Sequence, residues 1–134
     1  MTTVREPIVW LTLAQVEAAA RESKAAALAC SQEHWRQLSR ATEAELREAI
    51  ASLQTSIGSP FCALCRRSGV LRGAPCAGCP LAESGHQCAR NESGVYRRAG
   101  IAKWRWEDKP THDAWRDWQA AARRMYEVLM KCRS

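Results

Sequence analysis

The sequence predicts a mainly α-helical single domain: a helical hairpin or small bundle interrupted by an irregular cysteine-rich loop module. Three observations carry that prediction. Apolar residues recur at intervals of three and four near both ends of the chain, each series opening on a capping residue. Between them lies a stretch where this spacing disappears and glycine, proline and cysteine dominate. The chain has 134 residues, which suits one domain of modest stability margin.

The elements follow in order, with residues 12–57 read as helical. Thr12-Leu-Ala-Gln15 fits a capping box, a hydroxyl followed three residues later by an amide. Leu13, Val16, Ala20, Ser23, Ala27, Cys30 and His34 then step by three and four, predicting one long helix over about residues 13–39. Thr42-Glu-Ala-Glu45 is a second capping box. It opens a shorter helix whose apolar face is Leu46, Ala49, Ile50, Leu53 and Ile57, ended by Gly58-Ser59-Pro60. Residues 61–96 form the cysteine module, with glycines at 69, 73, 78, 85 and 94 and prolines at 75 and 80 marking turns. Residues 97–110 are a connecting tryptophan-rich segment, in which Lys103-Trp-Arg-Trp106 alternates basic and aromatic residues as a short strand would. The last helix spans 111–132, capped by Thr111 with Asp113 in its first turn. Trp115, Trp118, Ala122, Met125, Leu129 and Cys132 make its apolar stripe. The simplest arrangement packs it antiparallel against the first helix.

No stretch reaches the roughly 20 apolar residues that span a bilayer. Residues 1–10 lack the basic start and long apolar run of a secretory signal. A cytoplasmic location is therefore expected, with no membrane partner. Seven cysteines in such a setting favour metal binding or catalysis over disulfides.

The cysteines are spaced for metal. Phe61-Cys-Ala-Leu-Cys65 and Pro75-Cys-Ala-Gly-Cys79 are two CxxC pairs ten residues apart. Each such turn converges two thiolates on one ion, and two turns complete the tetrahedron of a closed structural zinc site. Cys62, Cys65 and Cys79 are the firmest three ligands. Cys76 and Cys88 compete for the fourth place, and His86 lies two residues before Cys88. One zinc ion is expected. An iron–sulfur cluster is the rival, although the tighter spacings typical of such clusters are absent. A redox CxxC fits poorly with two pairs in a glycine-rich loop and no βαβ pattern. Cys30 and Cys132 read as buried core thiols, beyond disulfide reach on one long helix hairpin.

These motifs resemble a group of small phage- and prophage-encoded cysteine-rich proteins. The likeness is carried by Cys-Ala-Leu-Cys at 62–65, Cys-Ala-Gly-Cys-Pro-Leu at 76–81, Gly85 to Cys88, and Tyr96. His34-Trp35 and the tryptophan-rich segment before the last helix are also similar. The sequence departs from the pattern at Gly94-Val95, where a proline usually precedes the tyrosine. The resemblance implies a phage or prophage origin, supports Cys88 as part of a zinc module, and implies no activity.

No enzyme is expected. A zinc closed by four thiolates has no vacant position, and His34, His86 and His112 form no HExxH or similar arrangement. A binding role is expected instead. The formal charge is +6, with six basic and seven acidic side chains in residues 1–60 against fourteen and seven in 61–134. Four zinc-bound thiolates would leave the holo-protein near about +4. Arg66, Arg67, Arg72, Arg90, Arg97, Arg98, Lys103 and Arg105 lie in or just after the module, with Tyr96, Trp104 and Trp106 among them. Arginine and tryptophan are enriched at protein interfaces, so a host or phage protein is the favoured partner. The same residues could pair with phosphates and stack on bases, which makes nucleic acid the alternative.

Overall fold

The computed structural model describes residues 7–57, 62–64, 67 and 94–132. Among these residues every long regular element is a helix: α1 (Leu13–Glu22), α2 (Lys24–Arg40), α3 (Glu43–Ala51), α4 (Val95–Asp108) and α5 (His112–Lys131). The mainly helical expectation is met.

Both predicted capping boxes form. The hydroxyl of Thr12 accepts from Gln15 N, and the Gln15 side chain accepts from Thr12 N in return. Thr42 and Glu45 repeat this reciprocal pair at the start of α3. Each box satisfies donors that the first helical turn would leave without partners.

The expected long first helix is instead two helices. Ser23 takes an extended backbone, φ −168° and ψ 166°, and its hydroxyl accepts from Ala26 N as the N-cap of α2. The apolar spacing runs through the break, so periodicity alone passes over it. The decisive preference is that of serine for a cap over a helix interior.

The second helix also stops early, at Ala51 rather than near Gly58. Gln54 N donates back to Ala49 O, and Leu53 N to Ile50 O. These two bonds make a Schellman ending, whose turning residue must adopt a left-handed conformation. Leu53 does so, with φ 59°, and its side chain is 85% exposed. Leu53 therefore does not belong to the apolar face assigned to it.

The tryptophan-rich connector is not extended. It is helix α4, beginning at Val95. Val95, Ala99 and Trp106 are buried along one side, with Ala102 half-buried between them. Four residues of alternation were too short to outweigh this stripe.

The last helix folds as expected, with Trp115, Trp118, Ala122, Met125, Val128 and Leu129 buried. It packs against α2 and α4. Gln32 Nε2 donates to Leu129 O at 2.9 Å, while the Trp35 and Trp118 rings lie 6.1 Å apart. Moving up α2 thus means moving down α5, so the pair is antiparallel. Trp106 meets Trp115 at 5.1 Å, and its Nε1 donates to Glu43 Oε2 at 2.7 Å. That bond ties α3 to the α4–α5 hairpin. Gln37, buried on α2, clamps the N-terminal segment: its Oε1 accepts from Leu11 N and its Nε2 donates to Val9 O.

Candidate metal turn and binding face

The first cysteine turn is seated on the helical body. Ala63 and Leu64, between the two cysteines of the first CxxC, are fully buried in the common core. Arg67, two residues after Cys65, sends its guanidinium to Ala20 O at 2.9 Å and Arg21 O at 3.4 Å. Those carbonyls belong to the last turn of α1, where a cation is favoured by exposed acceptors and by the helix dipole. Arg67 is thus committed to the fold and is withdrawn from the expected binding surface.

Cys62 is half-buried against the core, as is Cys30 on α2. Burial pushes the Cys30 thiol up, and Cys62 and Glu33 push it further in the same direction. Both thiols pack against the same core. Sequence reading treated Cys30 as an isolated core thiol on a long helix. No disulfide joins Cys30, Cys62 and Cys132. Cys132 is half-buried at the end of α5, its thiol directed to Val128 O.

Of the predicted metal ligands, Cys65, Cys76, Cys79 and Cys88 lie outside the described residues, as do His86, Arg66, Arg72 and Arg90. Among the described residues no three His, Cys, Asp or Glu side chains form a group that could hold a metal ion. Of the expected thiol donors the described residues place Cys62 alone, half-buried beside the buried Ala63 and Leu64.

His34 is buried on α2 beside Trp35, with the ring centroids 5.9 Å apart. Burial lowers its pKa to about 4, opposed in part by a hydrogen bond with the Ser56 backbone. The imidazole is therefore neutral at pH 7. This agrees with its reading as a helix-face residue packed near Trp35.

The remaining predicted binding residues fall on α4, and the helix sorts them. Arg97, Arg98, Trp104 and Arg105 are exposed. Lys103 and Trp106 are not available. The Lys103 side chain is largely covered and pairs with Glu107 at 2.6 Å, while Trp106 is buried beneath Arg47, whose guanidinium lies 5.6 Å from the ring. Trp104 is 66% exposed, whereas Trp35, Trp106, Trp115 and Trp118 are all buried. Ile101, which sequence reading missed, is exposed on the same side as Trp104. Its signal was the helical register, unseen while the segment was read as extended. Tyr96 points inward instead, its hydroxyl donating to Ile57 O at 2.6 Å and its ring 6.3 Å from Trp35.

No helix among the described residues is long and apolar enough to cross a membrane. Compared with known proteins, the chain matches no family model, no curated protein and no solved structure.

Proposed function

We propose that this chain is a small zinc-binding accessory protein of phage or prophage origin, acting without catalysis by docking on a host or phage protein in the host cytoplasm. The observation that carries the reading is the outer side of α4, where the well-exposed Trp104 stands among Arg97, Arg98 and Arg105. A tryptophan left in water is costly in apolar area, and burying it on a partner recovers that area. Tryptophan and arginine are also the residue types that dominate binding hot spots. The zinc, held by Cys62, Cys65, Cys79 and either Cys76 or Cys88, serves to order the loop that joins the two helical halves.

A second reading has its own support. Three exposed arginines around one exposed aromatic ring also suit phosphates and a stacked base, so nucleic acid is the alternative partner.

One experiment separates the readings. Tagged wild-type protein and Trp104→Ala are used to capture partners from bacterial host lysate, with and without nuclease, at low and physiological salt. The proposal expects a protein partner that survives nuclease, persists at physiological salt and is lost with Trp104→Ala. Capture that vanishes with nuclease assigns the face to nucleic acid. Capture indifferent to Trp104 refutes both.

A further inference from the structure

We infer that the outer face of α4 takes an acidic, amphipathic segment of its protein partner, in which carboxylates flank apolar side chains. This rests on the protein-binding reading and names the chemistry of that partner.

Residues on an α-helix advance by about 100° and 1.5 Å each. Trp104, Arg97, Asp108, Ile101, Arg105 and Arg98 consequently fall, in that order, within an arc of roughly 120°. All six are exposed. The buried residues Val95, Ala99 and Trp106 occupy the opposite side. Charge on this arc is not cancelled locally. The neighbouring ion pairs are Lys103 with Glu107 and Arg47 with Glu43, and among the described residues none includes Arg97, Arg98 or Arg105. Arg97 and Arg98 lie about 10–12 Å along the axis from Arg105. Between these two cationic ends sit Ile101, 40% exposed, and Trp104.

Each feature constrains the occupant. Covering Ile101 and Trp104 is favourable only under apolar side chains. Guanidiniums dried at an interface need acceptors, and carboxylates meet their fork geometry. A segment with acidic groups about 10–12 Å apart and apolar groups between them satisfies both ends at once; on a helix that is a separation of about seven or eight residues. Nucleic acid fits less well. Asp108 on the arc opposes either kind of anion, but Ile101 at its middle offers nothing to a phosphodiester, and among the described residues Trp104 is the one well-exposed aromatic ring.

The test is selection of a random 16-residue peptide library on the immobilised full-length chain at physiological salt. Enriched peptides are then titrated against wild type, Trp104→Ala and the Arg97→Glu/Arg105→Glu double variant, with a thymidine 20-mer as a parallel probe. All substituted positions are on the surface, and circular dichroism verifies that each variant folds. The expected result is enrichment of Asp or Glu flanking Leu, Phe or Trp, with binding weakened at least about tenfold in both variants, as loss of a hot spot produces. Three results overturn the inference: enriched peptides without acidic residues or indifferent to the variants, tight binding of the thymidine 20-mer without peptide enrichment, and no enrichment at all. In the last case, a Trp104-dependent protein captured from lysate would leave the protein-binding reading standing with a partner of different chemistry.

Discussion

Acidification should unfold this protein in part through one side chain. His34 is buried and its pKa falls from 6.5 to about 4, chiefly because burial penalises the imidazolium. The unfolded chain binds a proton at pH values where the folded chain does not, so stability drops as the pH falls. The contribution is intact above pH 6.5 and is lost progressively between there and about 4. A one-unit difference in pKa is worth about 1.4 kcal/mol, so acidification from pH 8 to 4.5 removes about 2–3 kcal/mol through His34. For a chain of this size that corresponds to a drop in melting temperature on the order of 10 °C. Other groups also titrate over this range, including thiolates that would release a bound metal. The readout is therefore a difference: urea unfolding of wild type and His34→Gln, at closely spaced pH values from 8 to 4.5 and matched metal content. The glutamine variant should be less stable at neutral pH, because a buried packing position has been changed. Its stability should nevertheless fall less steeply, so that the gap between the two proteins narrows by about 2–3 kcal/mol at pH 4.5. Cys30, one turn earlier, stays protonated throughout, since its thiol is pushed upward. Parallel curves for the two proteins would refute the argument.

Three further outcomes are expected. Leu53→Gly should stabilise the fold by about 0.5–1 kcal/mol, because a left-handed turn accepts glycine without strain and the exposed leucine buries little; a lower urea midpoint would contradict this. Gly100→Ala should stabilise by up to about 1 kcal/mol through helix propensity. The new methyl group would meet Ile57 Cδ1 at 3.9 Å, an ordinary contact, and thermal melting checks the sign. Serine at Cys62, Cys65 or Cys79 should take the purified protein from about one zinc per chain to almost none and lower its melting temperature, since structural zinc contributes folding energy directly. Elemental analysis with unchanged zinc and unchanged melting in all three variants would exclude these ligands.

Much of the helical frame was legible because its signals are local. The capping boxes at Thr12 and Thr42 pair residues three apart, and both form as their sequences predict. The stripe from Trp115 to Leu129 is long enough for its period to be unmistakable. The errors came where two local rules competed. At Ser23 apolar spacing argued for continuity while a hydroxyl argued for a cap, and the cap prevailed. At Leu53 the spacing argued for more helix, yet the chain turned through a conformation leucine seldom adopts. Residues 103–106 alternate in the manner of a strand, but the partners of Trp106 in the buried stripe, Val95 and Ala99, lie earlier on the same helix. That last error hid the binding face, since only the helical register places Ile101 with Trp104 and separates Trp104 from Trp106. The packing of Cys62 against the core that Cys30 also meets was not legible at all. It depends on tertiary packing between positions far apart in the chain.

The seating of the first cysteine turn bears on how far metal binding would be felt. Were the loop merely tethered between helices, losing the ion would disorder the loop and leave the bundle intact. Ala63 and Leu64 argue otherwise, because they fill the same core as Val16, Trp35 and Trp118. Withdrawing Leu64 alone from that core would cost about 2–5 kcal/mol, the range for truncating a buried leucine. Arg67 adds a bond to the end of α1, so the turn also fixes the helix that Ser23 separates from α2. A domain of this size has a total stability of about 5–15 kcal/mol, and such a loss is a large share of it. Zinc at Cys62 and Cys65 would hold both ends of the buried dipeptide, coupling the ion to the helical core. Melting followed by far-ultraviolet circular dichroism, to which the five described helices contribute most of the signal, should therefore respond to zinc removal.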